Sequence, residues 1–457
     1  MRRAFFMSKI YLILIYMVYT NKQIWNVSYP IFLSLLAQNI INVTDTAFLG
    51  RVGEVELGAA AMGGLYYICA FTIAFGFSTG SQIVMARRNG ERNYREVGPV
   101  MIQGVLFLLV LAVTLFILSR LFAADILRVL ISSDTILHAT EEFLDWRIFG
   151  FFFSFVNVMF RALFIGITRT KVLTINAILM AVTNIILDYL LIFGYGGFPQ
   201  MGIKGAAIAS VVAEAVSILF FMVYTRLTVD KRKYGLDKIT SFDLNLLKRV
   251  LSISIFMMLQ YFISMSTWFM FFVAVERLGQ RELAIANIVR SVYIVMLIPI
   301  NSLSTTTNTF VSNAIGAGHV NQVIPIISRI AKLSLGIMAL FVAIVCIFPD
   351  TILSVYTNEV RLLEDSVSSV YVISVALLVA AVSNVVFNGV SGTGNTRSAL
   401  WIEIVTLVFY CLYVYVVGMR LQEPVYICFT VEAIYYTGLL LLCMIYLKKG
   451  NWQNKKI

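Results

Sequence analysis

The chain has 457 residues, of which 60% are hydrophobic and only 13% charged; its mean hydropathy is +0.88 and its formal net charge is +11. Soluble domains are about 45–50% apolar and about 25% charged, so this composition excludes an ordinary soluble protein and predicts a polytopic membrane protein. A net positive charge can indicate nucleic-acid binding, but the order of the charges along this chain argues against that interpretation.

Twelve apolar segments are each long enough to span a bilayer as a helix, which takes about 20 residues. They are predicted at 26–49, 58–86, 98–122, 142–166, 171–194, 204–227, 247–276, 283–315, 325–348, 366–391, 397–418 and 424–447. The apolar run that begins at Ile10 is too short to span, and no role is assigned to the extension that contains it. The predicted fold class is an all-α membrane protein with twelve transmembrane helices.

Basic and acidic loops alternate between these segments. The loop at 87–95 and the linker at 228–246 are rich in arginine and lysine, whereas the loop at 125–145 is rich in aspartate and glutamate. Because an excess of Lys and Arg marks the cytoplasmic side, both termini are predicted to be cytoplasmic, which agrees with an even number of helices. Positive charge placed in this way attracts anionic lipid, so we expect no nucleic-acid partner.

The second half of the sequence repeats the first at a nearly constant offset of 218 to 228 residues. The segment at 50–61, GRVGEVELGAAA, matches ERLGQRELAIAN at 276–287, and FRALFIGITRTK from Phe160 matches FNGVSGTGNTRS from Phe387. Each repeat holds six helices, so both enter the membrane from the same side and form a parallel repeat. The predicted divisions are an N-terminal extension 1–22, a first six-helix lobe 23–227, a cytoplasmic linker 228–246, a second six-helix lobe 247–447 and a basic tail 448–457.

Two aspartates lie inside the apolar segments of the first lobe. Asp45 is five residues before Gly50, where the first helix is predicted to end, and Asp188 is six residues before Gly194, where the fifth ends. Both helices run outward, so at 1.5 Å per residue both carboxylates lie about 8–9 Å below the outer ends of their helices. A carboxylate in lipid costs about 3 kcal/mol unless a partner compensates it, so we expect the two to share a site.

Polar residues extend both positions into stripes. Asn184 is one helical turn from Asp188, and a second stripe, on the first helix, consists of Ser34, Gln38, Asn42 and Asp45. Such stripes face the bundle interior or an aqueous cavity. Carboxylate and amide oxygens suit a small hard cation, and two crowded carboxylates suit a proton. Alternatively, these side chains only hold helices together by hydrogen bonds.

The repeat provides an internal control for the two acids. The position equivalent to Asp45 is Phe271, and the counterpart of the fifth helix, IVTLVFYCLYVYVVG, has no acid. The scaffold is therefore duplicated, whereas the carboxylates are not. This difference indicates a function that belongs to the first lobe.

Four stretches together resemble the multidrug and toxic compound extrusion (MATE) family. They are VTDTAFLGRVG on the first helix, the basic loop ARRNGERNYREV, the Asn–Asp pair in TNIILDYLLIFG, and GIKGAAIAS. The D-T-A-x-x-G pattern with the Asn–Asp pair is most similar to the DinF-like branch. The resemblance covers the chain from Asn21 to Leu447.

The resemblance implies a secondary antiporter of the bacterial plasma (inner) membrane that exports cationic or amphipathic organic compounds in exchange for H⁺ or Na⁺, through a V-shaped cavity between two six-helix lobes. It assigns the coupling ion to Asp45, Asn184 and Asp188, with Na⁺ as a candidate ion, and adds Ser210. Candidates for lining the cavity are Gln38, Asn42, Asn157 and Gln260. We expect a monomer that is not an enzyme and needs no cofactor besides the coupling ion.

Two other functions remain open at this stage. A flippase for lipid-linked precursors, from the same superfamily, would need cationic residues in the membrane, for which Arg161 and Arg290 are the candidates. An ion channel is the more remote alternative. The sequence also leaves open whether Glu214 and Glu432, which match in the repeat, are structural, and which of them pairs with Arg290.

Overall fold

The computed structural model describes residues 19–131, 133–237, 243–357 and 359–453. Residues 1–18 of the predicted extension, 238–242 of the predicted linker and 454–457 of the predicted tail lie outside the described residues. The lobe boundaries given above therefore stay predictions at these positions.

Helices form the whole of the described fold, and no strand occurs within the described residues. The long helices are α1 Asn21–Val52, α2 Glu54–Gly90, α3 Val97–Leu130, α4 Asp134–Arg147, α5 Gly150–Gly166, α6 Lys171–Phe193, α7 Gly202–Thr228, α8 Leu244–Glu276, α9 Gln280–Gly316, α10 Val323–Ile347, α11 Val360–Gly392, α12 Thr396–Tyr413 and α13 Thr430–Lys449. Short helical turns connect several of them, and a π-helical stretch, Val414–Arg420, extends α12. In the described part of the chain, eleven spans are long and apolar enough to cross a membrane, and the bent pair α4–α5 makes a twelfth. The prediction of twelve transmembrane helices is confirmed.

The fourth span differs from its prediction. A single helix was expected at 142–166, whereas α4 and α5 meet at an angle of 54°. A Cβ atom on Gly150, the first residue of α5, would lie 2.1 Å from Nη1 of Arg147 and 2.7 Å from Oε2 of Glu214. The glycine leaves the room in which these two side chains meet, so the bend is part of a buried polar cluster.

The internal repeat is visible in the helix neighbours. Helix α1 packs on α6 as α8 packs on α12, and α2 packs on α5 as α9 packs on α11. Likewise, α6 packs on α7 as α12 packs on α13. The two halves are therefore six-helix lobes of the same internal arrangement.

The lobes meet through α1 and α2 of the first and α8 and α9 of the second. Between α2 and α9, Gln82 Nε2 donates to Thr309 Oγ1 at 3.0 Å and Asn89 Nδ2 donates to Asn313 Oδ1 at 2.7 Å. Every residue at 76–87 and at 306–315 is buried. These contacts lie at the end of the molecule that is predicted to be cytoplasmic, which we call the closed end. At the opposite end, the cleft end, the second lobe has a separate hydrophobic core.

Glycines allow the close approach of helices at the closed end. A Cβ atom on Gly80 of α2 would lie 2.5 Å from Cα of Ser254 on α8, whereas no atom lies within 4 Å of one on Gly336 of α10. We expect Gly80→Ala to destabilise the protein by about 1–3 kcal/mol, the usual cost of overpacking. Gly336→Ala should be neutral or stabilising, because alanine favours a helix by about 1 kcal/mol. Melting temperatures of the two variants in one detergent provide the measurement; equal values would contradict the tight contact.

Candidate functional site

The structure brings Asp45, Asn184 and Asp188 together where α1 packs on α6. The carboxyl groups of Asp45 and Asp188 face each other closely enough to interact directly. Asp188 is 0% exposed and Asn184 is 1% exposed. The predicted convergence of the two stripes at one depth is what the structure contains.

Polar atoms at this place lack hydrogen-bond partners. They are Oδ1 of Asp45, both carboxyl oxygens of Asp188 and both amide atoms of Asn184. Buried polar groups are normally hydrogen-bonded, so five such atoms at one place require an explanation. Because these atoms bond to no neighbouring helix, the alternative that they serve only to hold helices together does not account for them.

The donor set fits a proton or a monovalent hard cation. Carboxylate and amide oxygens are the ligands that hard cations prefer. Within residues 19–131, 133–237, 243–357 and 359–453, no group of three or more His, Cys, Asp or Glu side chains could hold a metal ion. The site therefore consists of two carboxyl groups and one amide.

A cavity of about 920 Å³ adjoins this ion site at the cleft end. The predicted residues Gln38, Asn42, Asp45, Asn184 and Ser210 all line it. A second cavity of about 320 Å³ lies deeper toward the closed end and shares Gln38 with the first. Volumes of about 300–1,000 Å³ are typical of sites for drug-sized molecules.

Two further candidates occupy different places. Asn157 lines the deeper cavity, where its Nδ2 donates to the backbone oxygen of Glu214 at 3.1 Å. Gln260 is buried on α8 of the second lobe, its Oε1 has no hydrogen-bond partner, and it does not line either of these two cavities. Gln260 is therefore apart from the group that surrounds Asp45.

A buried ion pair next to the ion site was not predicted. Arg147 makes two hydrogen bonds to Glu214, of 2.7 Å and 3.2 Å, and its guanidinium lies 3.6 Å from the centre of the Tyr67 ring. The Tyr67 hydroxyl donates to Glu214 at 3.3 Å and to Ser154 Oγ at 2.8 Å. Arg147 also lies within electrostatic range of Asp45. This cluster fixes the negative charge of Glu214 beside the cavity.

The second lobe treats the matching acid differently. Glu432 accepts hydrogen bonds from Tyr293 at 3.2 Å and from Tyr410 at 3.1 Å, and Tyr436 contacts the Tyr293 hydroxyl at 2.5 Å. Tyr293 is the repeat counterpart of Tyr67, at an offset of 226 residues. A tyrosine–glutamate pair is therefore common to both lobes. This match at a constant offset is the signal by which the sequence could have revealed the pair.

Arg290 pairs with neither glutamate. It lines the larger cavity, its Nε has no hydrogen-bond partner, and its guanidinium lies 5.2 Å from the Phe272 ring centre. Arg161 lines the deeper cavity, and it too makes no ion pair or hydrogen bond within the described residues. Two arginines therefore face the cleft without an acidic partner.

Comparison with known proteins identifies the family. The MatE family model matches residues 30–190 and, separately, residues 253–416. The chain belongs to the MatE family. The two matches fall one in each lobe, as the internal repeat requires.

Individual relatives of this MatE protein are distant. YoeA of Bacillus subtilis, a probable multidrug resistance protein, is 26% identical over 339 residues, which are 72% of either chain. A probable multidrug resistance protein NorM of Thermotoga maritima is 23% identical over 391 residues, which are 85% of this chain and 83% of the relative. A solved outward-facing conformation of a multidrug resistance MATE family transporter of the MOP superfamily superposes with a TM-score of 0.85 at 19% identity, covering 95% of this chain and 97% of that one. The chain is thus a multi-pass membrane protein with the MATE transporter fold.

Proposed function

We propose that this MatE protein is a secondary antiporter of the bacterial plasma membrane that exports amphipathic organic compounds, cationic ones among them, in exchange for H⁺ or Na⁺. The observation that carries the proposal is the set of five buried polar atoms without partners on Asp45, Asn184 and Asp188. A proton or Na⁺ would satisfy these atoms. The similarity to probable multidrug resistance proteins supports an organic compound as the exported substrate.

Ion binding and transport are coupled through α1 in this proposal. Asp45 belongs to the ion site, while Gln38 and Asn42 of the same helix line the cavity. An ion between Asp45 and Asp188 removes the repulsion of two carboxylates, and so it favours a different packing of α1 on α6. A ligand shifts such an equilibrium only by its different affinity for the two states, so ion and substrate drive α1 toward opposite states.

Alternating access then requires the closed end to open. The interlobe bonds Gln82–Thr309 and Asn89–Asn313 would break, and the cleft end would close. The basic loops support a cytoplasmic position for the closed end and for both termini. A compound would thus enter from the cytoplasm and leave through the cleft end.

Transport in proteoliposomes tests the proposal. The purified full chain is reconstituted and given a pH gradient or a Na⁺ gradient, one at a time, and the movement of a fluorescent organic cation is recorded. We expect one of the two gradients to drive uphill movement of the dye. Downhill flux alone would indicate a channel, and no movement of the dye under either gradient would contradict the antiporter and favour a lipid-linked substrate.

A further inference from the structure

We propose that Arg161 binds an acidic group of the transported compound, and hence that the substrates of this transporter include aromatic organic acids. Arg161 lies on α5 and lines both the cavity of about 320 Å³ and a small cavity of about 20 Å³ behind it. Its one recorded neighbour is aromatic, the Phe75 ring at 5.6 Å. An arginine inside a membrane protein is costly without a partner and normally marks a pathway for a substrate or an ion.

The charges around Arg161 favour an anion. Arg161 is the one charged residue that lines the small cavity. In the deeper cavity the other charged residue is Glu214, whose carboxylate is already held by both guanidinium nitrogens of Arg147. The uncompensated charge at this depth is therefore positive, and it attracts a carboxylate or sulfonate and repels a cation.

Asn308 supplies a second group for the same anion. This residue of α9 is 1% exposed, lines the small cavity with Arg161, and leaves both atoms of its amide without a hydrogen-bond partner. Its amide nitrogen is a donor, as are the guanidinium nitrogens. The unused donors of the two lobes thus meet at one small space.

The sizes of the two cavities separate the head of a ligand from its body. The small cavity has room for little more than one water-sized group, so it admits a terminal acidic group and no ring. The adjoining cavity is large enough for a drug-sized body and is lined by Phe71, Phe75 and Phe221. This order, an acid at the inner end and aromatic surface next to it, fits an aromatic organic acid.

The repeat shows that the fold does not need a charge at this position. Asn388 is the counterpart of Arg161 at an offset of 227 residues, and it lines the same small cavity from the second lobe. Its Nδ2 donates to the backbone oxygen of Asn384 at 3.0 Å, so the duplicated scaffold accepts an amide there. The matched substitution is therefore Arg161→Asn.

Binding of two dyes that differ only in charge tests the inference, which rests on the proposed function in that an organic compound enters the cleft. The dyes are rhodamine B, with a free carboxylate, and its uncharged-carboxyl analogue, rhodamine B ethyl ester. Fluorescence anisotropy is recorded with the purified full chain in detergent. We expect the wild type to bind the acid about 10-fold more tightly than the ester, as for a charge-assisted hydrogen bond.

The Arg161→Asn variant should lose this preference, with acid binding weakened about 10-fold and ester binding changed less than about two-fold. Arg161→Lys should retain part of it. Equal binding of both dyes to the wild type, or equal weakening of both in Arg161→Asn, overturns the inference. If Arg161→Asn does not fold, Asn308→Leu provides the second variant and should weaken the acid alone. Gradient-driven export of both dyes without preference for the acid refutes this inference only, whereas no export of either dye refutes the proposed function.

Discussion

Replacing Asp45 with asparagine is expected to reduce gradient-driven export to the level of protein-free liposomes. The substitution keeps the size of the side chain but removes its titratable charge, and with it the change in repulsion toward Asp188 on which coupling depends. Because Asp45 lacks a partner for its buried Oδ1, the neutral amide should leave the protein as stable as the wild type or more stable. Export from proteoliposomes and the melting temperature in detergent measure the two effects on one preparation.

A matched control is available at the cleft end. Asp145 pairs with Arg120 through an exposed ion pair, so Asp145→Asn removes an acid that is outside the ion site. This control should export at the wild-type rate. Asp188→Asn should behave as Asp45→Asn does. Wild-type export by Asp45→Asn would show that the acid pair is not the coupling site.

Removal of the Arg147 side chain should have the largest effect on stability. Arg147 and Glu214 are each only 13% exposed at the side chain, so Arg147→Met leaves a carboxylate buried without its cation. Breaking such a pair costs about 3–5 kcal/mol in the free energy of unfolding. Titration with a denaturing detergent, followed by the loss of helical signal, measures this free energy.

Two comparison variants separate the ion pair from a general effect of substitution. In the double variant Arg147→Met with Glu214→Gln both charges are gone, and most of the lost stability should return. In Arg120→Gln an exposed pair is lost, with side chains 39% and 61% exposed, and the cost should be below about 1 kcal/mol. An Arg147→Met variant as stable as Arg120→Gln would contradict the buried pair.

The position of the ion site followed from simple helix geometry. Asp45 and Asp188 are counted from helix ends that glycines mark in the sequence, so their common depth needs only the rise per residue. Their packing partner could be inferred because polar stripes in a membrane turn toward the interior. The absence of both acids from the second lobe was likewise readable from the repeat.

The cluster of Arg147 and Glu214 was not predicted because its cause is tertiary. Arg147 follows an acidic loop and therefore resembles a residue at the membrane surface, and its partner is 67 positions away on another helix. The bend that brings it inward occurs beside Gly150, in an apolar run whose hydropathy is the same for a straight helix. The matched tyrosines Tyr67 and Tyr293 were the one available signal, and their meaning depends on the packing of each lobe.

Ion movement driven by the organic substrate tests the central claim most directly, namely that Asp45 and Asp188 exchange a small cation against the transported compound. Proteoliposomes receive a gradient of rhodamine B ethyl ester and no ion gradient, and the lumen reports H⁺ through a trapped pH-sensitive dye and Na⁺ through a radioactive tracer. The wild type should move one of these ions against the direction of the dye, while Asp45→Asn and Asp188→Asn should move neither. Ion movement at the wild-type rate in either variant, or dye movement by the wild type with no ion in exchange, would contradict the account.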